Sequence, residues 1–216
     1  LFPDSDDPDS PLSDVNVRKA ISYAIDRDAL CAARGYGVYT PATQLVSPAW
    51  ECYLDDPQYD CVYDKQKALD LLEEAGYADG FETTIYVQPN MCDRDIMVAV
   101  QDMLGQVGIT VKLEFPESGG YTDMKMNGWS GMLGQMFRNM SDIITTFVLF
   151  FDATYDEETD TYGDDWMPSA YRPEEVLYEL EKTATSTVEM EDENLEAINE
   201  VLMGEMLAIP IYYCYD

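Results

Sequence analysis

Histidine is missing altogether from the 216 residues. The commonest general base and the commonest zinc ligand go with it. A Ser-His-Asp or Cys-His mechanism therefore has no basis within this chain. Basic residues are scarce: 12 Lys and Arg stand against 43 Asp and Glu, a formal net charge of -31. A surface this negative repels phosphate backbones and anionic lipid headgroups, which argues against nucleic-acid partners and against an anionic membrane. The charge fits solubility on a cell exterior, and it fits adaptation to salt equally well. No apolar run approaches the roughly 20 residues needed to span a bilayer. The longest, Ile143–Phe151, carries two threonines and reads as core. No CxxC pair occurs, which removes the signature of a zinc ribbon or a thioredoxin-type site. The opening residues do not read as a secretory leader. The chain opens on LFPDSDDPDSP, and the expectation is a piece excised from something longer.

What is present is enough for a substantial core. Apolar residues make up 46% and aromatics 12%, too rich for a disordered chain. The five cysteines are Cys31, Cys52, Cys61, Cys92 and Cys214, so a monomer keeps at least one free thiol. Cys52 and Cys61 bracket the loop-like YLDDPQYD. They are placed either for a local bridge in an oxidising compartment or as buried free thiols.

Residues 1–13 are rich in Asp, Pro and Ser and read as a linker or extended lead-in. Asp14–Leu30, DVNVRKAISYAIDRDAL, reads as an amphipathic helix ending near Ala33. Val17, Ile21 and Ala24 form its stripe, with Arg18, Asp26, Arg27 and Asp28 off it, and Asp14 or Ser13 as the cap. Tyr39–Tyr63 has no period and reads as a long irregular segment, of the kind that often carries a binding surface. Asp64–Ala75 is a second helix with Asp64 as cap and Gly76 as its stop.

Phe81–Val87 alternates as a strand, Asp93–Val107 is patterned as a helix, and Ile109–Phe115 alternates again. Strand, helix, strand predicts a βαβ unit with parallel strands. Tyr121–Met126 is a short helix and Gly131–Phe137 a short strand. Asp142–Phe151 fits either helix or strand by composition. Asp152–Asp165, DATYDEETDTYGDD, fails the calcium-loop spacing and reads as a solvated acidic loop. Helices over Pro173–Thr185 and Glu191–Leu207 and a terminal strand over Ala208–Tyr213 complete the chain.

Three stretches carry a resemblance. NVRKAISYAIDRDAL resembles the "VRxAIxxAIDRxAL" segment of the family 5 extracellular solute-binding proteins. Tyr63–Tyr77 resembles their "YDPxKAxxLLxEAGY", with Lys65 in place of the usual Pro. AIPIYY resembles their closing "xxPxIPLYY". The weaker "GxGxPAxxxxPP" and "QxxLxxxGIxVxL" patterns are visible in GYGVYTPATQLVSPAW and around Gln101–Leu113. These proteins are the dipeptide, oligopeptide and nickel receptors of ABC importers. The resemblance implies an α/β fold: one lobe of a class II periplasmic-binding-protein-like structure, with a partly parallel sheet flanked by helices. It implies that residues 14–213 are the C-terminal ligand-binding lobe and that a first lobe lies elsewhere in the same protein. It also resolves Asp142–Phe151 toward helix.

The implied function is capture of a peptide or similar small molecule between two lobes, for delivery to an ABC transporter permease. No catalysis and no cofactor or metal is called for. Location on a cell surface or in a periplasm, with a lipid anchor on the full-length protein, follows from the resemblance alone. The segment expected to face the cleft is Met132–Phe147, MLGQMFRNMSDIITTF. Relatives read roughly "xxxGWxADYxDPxxF" there, with an Asp that pairs with the free amino group of a peptide. Gly134 aligns with the family Gly, which puts Gln135 at the Trp and Arg138 at the Asp. A guanidinium suits an anionic ligand group, and it is no substitute for a carboxylate. Arg138 is thus either a ligand contact or half of a surface ion pair. Phe137, Trp129 and Trp50 are candidate apolar walls or ordinary packing. Asn139, the start of an Asn-Met-Ser sequon, is a further contact candidate. The alternatives are a secreted hydrolase using paired carboxylates, for which no pair stands out, and a ligand sensor uncoupled from import.

Overall fold

In this computed structural model the described residues are 1–50, 52–55, 59, 61–136, 143, 147, 150–151, 154–156, 161–163, 167–184 and 188–214. In chain order the elements are β1 (Phe2–Pro3), α1 (Val15–Ala24), α2 (Arg27–Arg34), β2 (Tyr39–Pro41), α3 (Lys65–Glu74), β3 (Phe81–Val87), α4 (Arg94–Gly105) and β4 (Ile109–Glu114). There follow α5 (Ser118–Asn127), β5 (Met132–Gly134), β6 (Thr154–Asp156), β7 (Thr161–Gly163), α6 (Glu174–Ala184), α7 (Val188–Gly204) and β8 (Tyr212–Cys214).

The main sheet has the order β1-β5-β3-β4. β3 runs parallel to β4, with Phe81 opposite Ile109, and parallel to β5, with Ile85 opposite Met132. The expected βαβ pairing is therefore observed. Ile85 and Val87 of β3 and Ile109 and Val111 of β4 are buried, as period two requires. α4 packs on β4 through the face that buries Ile96, Met97, Val100 and Leu104. Asp93 caps it by accepting the N–H groups of Asp95 and Ile96. Gly80 and Gly108 meet where β3 and β4 begin. A Cβ on Gly80, at φ +77°, would overlap the Gly108 carbonyl.

The opening stretch is packed structure, not a linker. β1 pairs antiparallel with β5, Phe2 opposite Leu133. Phe2 is buried and stacks on Phe150 at 5.4 Å between centroids. The Asp4 carboxylate accepts Gly131 N–H at 2.7 Å and the Ser10 hydroxyl at 2.7 Å. Gly131 itself, at φ +100°, runs so close to β3 that a Cβ would overlap the Thr84 carbonyl. Two polar side chains that look solvent-seeking in sequence, Asp4 and Ser10, thus fasten the edge strand. Pro11–Ser13 forms a single 3-10 turn with Leu12 buried beneath it.

The expected long helix from Asp14 is two helices. Ile25 is extended at φ -93° and ψ 110°, and Asp26 starts α2 by capping Ala29 N–H at 2.9 Å. Arg18 and Arg27, expected on a charged outer edge, are buried at 2% and 3% exposure. Arg18 donates to the carbonyls of Leu12, Ser13 and Glu205 at 2.7 to 3.0 Å. Arg27 donates to the carbonyls of Ser22, Ile25, Cys61 and Pro210 and to the Ser22 hydroxyl, at 2.9 to 3.2 Å. The break after α1 exposes the Ser22 and Ile25 carbonyls, and the Arg27 guanidinium satisfies them.

Other boundaries move less. α3 matches expectation, with Asp64 as cap, Ala68 and Leu72 buried and Gly76 at φ +85°. The irregular Tyr39–Tyr63 segment begins with β2, which pairs with β8, Tyr39 opposite Cys214. The expected terminal strand starts later, at Tyr212, since Pro210 has no N–H for a ladder. Ahead of it, Leu1 and Ile209 exchange main-chain hydrogen bonds at 2.7 and 2.8 Å. The acidic stretch contains a hairpin, β6 with β7, where Thr-Tyr pairs favour strand. α7 begins before Glu191 and ends before Leu207. Within Asp142–Phe151 the described Ile143, Phe147, Phe150 and Phe151 are helical and buried. All five cysteines are free thiols, Cys52 and Cys61 among them.

Two substitutions test this account in urea unfolding of the chain. Arg27→Ala leaves a cavity and several orphaned carbonyls, and stability should fall by about 3 kcal/mol or more. Asp4→Ala strands the Gly131 N–H and should cost about 1–3 kcal/mol. An unchanged midpoint for either variant would remove that contact from the list of what holds the fold.

Candidate functional site

The carboxyl ends of the parallel strands β3 and β5 open on a cleft of about 450 Å³. Open α/β sheets place ligands at such ends. Its walls come from Leu1 and Phe2, the loop after β2, Cys92 and Met97 at the start of α4, the chain leaving β5 and the run from Ala208 through β8.

The floor is Gly134, the last residue of β5. Its carbonyl accepts Gln88 N–H at 2.8 Å, the Tyr121 hydroxyl at 3.2 Å and the Cys92 thiol at 3.4 Å. A Cβ there would stand 3.5 Å from Ile85 Cγ2 and 3.6 Å from Met97 Sδ, at ordinary contact distance. Gln88 also accepts Met136 N–H through its side chain at 3.0 Å, which fixes the chain as it leaves β5.

The facing loop is held by two side chains. The Tyr213 hydroxyl shares its proton between the carbonyls of Gln44 and Val46, at 2.8 and 2.7 Å, and accepts Gln44 N–H at 3.2 Å. The buried Gln44 amide donates to the Leu54 carbonyl, and its oxygen accepts Leu54 N–H and the Asn199 amide. This network gives the irregular segment a fixed shape without regular secondary structure. Tyr39 stacks on Tyr212 at 4.5 Å across the β2–β8 ribbon and finishes the rim.

No charged side chain stands among the described residues that line the cleft. Burial pushes the Cys92 thiol up to about 11, and it pushes the Tyr121 and Tyr212 phenols up as well. All three are therefore neutral at neutral pH. Such a lining holds a molecule by apolar contact and neutral hydrogen bonds.

Of the residues singled out from sequence, Gln135 is in the cleft, half-buried, with its side-chain oxygen 3.4 Å from the Tyr121 hydroxyl. Trp129 is buried in the core, its main chain bonded in both directions to the Ser169 hydroxyl at 2.8 Å. Trp50 is half-buried against the core on a turn closed by its N–H to the Ser47 carbonyl at 3.1 Å. Neither tryptophan lines the cleft. Phe137, Arg138 and Asn139 lie outside the described residues. Gln88, Cys92 and Tyr213 were not singled out. Tyr213 had a signal, its place in AIPIYY; Gln88 and Cys92 sit in a strand-to-helix connection with no pattern of its own.

Comparison with known proteins places this geometry. The family model for bacterial extracellular solute-binding proteins, family 5 Middle, matches residues 5–187. The dipeptide-binding protein of Escherichia coli (strain K12) is 32% identical over 180 residues, which is 77% of this chain and 31% of that protein. A glutathione-binding protein of Salmonella typhi is 37% identical over 113 residues, covering 50% of this chain and 21% of its own. Among solved structures, a dipeptide-binding protein from Pseudoalteromonas sp. SM9913 in complex with Met-Leu superposes with a TM-score of 0.85 at 20% identity. The match covers 99% of this chain and 42% of that one. At that identity it speaks for the fold alone: this chain has part of a periplasmic-binding-protein fold, with a partly parallel sheet flanked by helices. The chain spans about a third or less of the length of these curated relatives. By the extent of the family match, the chain belongs to the bacterial extracellular solute-binding proteins of family 5.

Proposed function

We propose that this chain is the C-terminal lobe, residues 14–213 with their packed lead-in, of a two-lobed receptor. The receptor captures a small solute, a peptide or similar molecule, and delivers it to an ABC importer. The observation that carries the reading is the match to 99% of this chain by only 42% of a dipeptide-binding protein, with a cleft at the strand ends. The first lobe of the receptor supplies the opposite wall, and closure traps the ligand by a hinge motion. The relatives named for dipeptide and glutathione support a peptide-like solute. The partners are the solute, the missing lobe and the permease. A net charge of -31 argues against nucleic acid. The receptor works outside the cytoplasmic membrane, held there by a lipid anchor.

In this reading Arg138 provides the cation that an anionic ligand group needs, such as a carboxylate. Phe137 and Asn139 flank it in sequence, and Gln135 adds a neutral hydrogen-bonding group from the cleft. Trp129 and Trp50 belong to the packing of the lobe, not to the cleft lining.

Three measurements test the proposal. Native mass spectrometry of the full-length receptor should show one co-purified small molecule, bound stoichiometrically and released unchanged; conversion of that molecule to products would overturn the reading. The present chain alone should fold and bind the same molecule far more weakly, since half of the cleft is absent, and tight calorimetric binding would sink the two-lobe scheme. In the full-length receptor, Arg138→Ala should weaken an anionic ligand by about 10- to 100-fold, the size of a lost charge-assisted hydrogen bond. Arg138→Lys should recover only part of this, because a point charge lacks the planar fork. Unchanged affinity in both variants would return Arg138 to the surface.

A further inference from the structure

Many polar groups of the cleft are already engaged by the protein itself. The Gln44 amide binds Leu54 and Asn199. The Tyr213 hydroxyl serves the Gln44 and Val46 carbonyls. The Cys92 thiol donates to the Gly134 carbonyl, and the Pro210 carbonyl accepts from Arg27. Two side chains of the lining keep hydrogen-bonding capacity. Ser47, on the loop after β2, has no partner for its hydroxyl among the described residues. Gln135, where the chain leaves β5, has its oxygen 3.4 Å from the Tyr121 hydroxyl, and its amide nitrogen has no partner among the described residues.

Much of the remaining wall is apolar and firmly held. Phe2, Leu45, Met97, Ile209 and Ile211 line the cleft and are buried, and Met136 is half-buried beside Gln135. Phe2 is fixed by the pairing of β1 with β5, Met97 by α4, and Ile209 by Leu1. No charged side chain stands among the described lining residues. A charged group that enters gives up its water and meets no opposite charge there. The net charge of -31 acts the other way, because it draws cations toward the chain. Surface and lining therefore favour opposite solutes, and the lining decides which one stays.

We propose that this cleft is the specificity pocket for an uncharged apolar side chain of the captured solute, branched aliphatic or aromatic. The Ser47 hydroxyl and the Gln135 amide read one neutral polar group beside it, such as a carbonyl. The inference rests on the chain being one lobe of a solute receptor, and it adds what the solute looks like. The cleft volume of about 450 Å³ lies toward the lower end of small-molecule sites, roughly 300–1,000 Å³. Gln135 determines the specificity: its carboxamide offers a cation no counter-charge, whereas a carboxylate of the same shape would.

The test uses the full chain with isotope-labelled methionine methyl groups, since Met97 and Met136 report from the cleft in nuclear magnetic resonance spectra. Met97→Leu and Met136→Leu identify their signals. The probes are the N-acetyl amides of leucine, alanine, lysine and glutamate, which differ only in side chain. The leucine amide should shift both signals saturably. The alanine amide should bind about 10-fold or more weakly, for its smaller apolar surface. The lysine and glutamate amides should give no saturable shift. Ser47→Ala should weaken the leucine amide by about 3- to 10-fold, the size of one neutral hydrogen bond. Gln135→Glu should move the preference between lysine and leucine amides by about 10-fold or more toward lysine. Far-ultraviolet circular dichroism of each variant confirms that the fold is intact. A lysine or glutamate amide that binds the unaltered chain as well as the leucine amide would overturn the pocket. So would the absence of a saturable shift with every probe, or a folded Gln135→Glu chain that still ignores lysine. Failure of solute capture itself reads differently, as conversion of the co-purified molecule to products by the full-length receptor.

Discussion

A single guanidinium holds together parts of this chain that are far apart in sequence. Arg27 binds the carbonyls of Ser22 and Ile25 at the break between α1 and α2, that of Cys61 ahead of α3, and that of Pro210 ahead of β8. Its partners are neutral oxygens. Burying a cation this way carries a large desolvation cost, and burial does lower the affinity of this guanidinium for its proton. The cost is offset in part because the bonds satisfy main-chain carbonyls at the helix break and ahead of α3 and β8. Arg18 repeats the device one helical face away, joining Leu12 and Ser13 to Glu205. Together the two arginines fasten the start of the chain and its last stretch to one helix pair.

The cleft inherits its shape from these ties. Pro210 stands between Ile209, paired with Leu1, and Ile211, whose carbonyl accepts Ala42 N–H. Fixing the Pro210 carbonyl therefore fixes the wall formed by the run into β8. From there Tyr213 reaches the loop after β2, and Gln44 passes the constraint on to α7 through Asn199. The opposite side is set by the sheet. β5 ends at Gly134, where Gln88, Tyr121 and Cys92 converge on one carbonyl. A binding surface of irregular segments is thus supported on a regular frame, which is the usual division of labour between loops and scaffold.

Much of that frame was legible in sequence. The β3–α4–β4 unit follows from a change of hydrophobic period, two to 3.6 and back, with Asp93 and Gly108 as punctuation. α3 was equally plain. The failures have a common cause: polar residues whose partners lie far away along the chain. Asp4, Arg18 and Arg27 look like surface groups when judged by type, and amphipathicity assigns them to solvent. Their acceptors and donors, at Gly131, Glu205 and Pro210, come from the other end of the sequence. The break at Ile25 fails for the same reason, because an intact helix is the better local solution and only the buried guanidinium makes the bend pay. Within the site, Gln135 was found through its alignment with a family motif. Gln88 and Cys92 have no such anchor, since a connection between strand and helix shows no periodicity to read.

Under the proposed function, the distribution of charge separates two stages of binding. Acidic residues outnumber basic ones by 43 to 12, yet the described lining of the cleft is uncharged. At physiological salt the field of surface carboxylates decays over about 8 Å. It acts on the approach of a ligand, slowing anions and favouring cations or neutral molecules. Inside the cleft, away from solvent, local groups decide how long the ligand stays. Neutral thiols, phenols and amides reward apolar surface and neutral hydrogen-bonding groups there. A receptor of the proposed kind, built this way, discriminates twice by different physics, first by long-range charge and then by contact, and only the second depends on the geometry that Arg27 and Tyr213 hold in place.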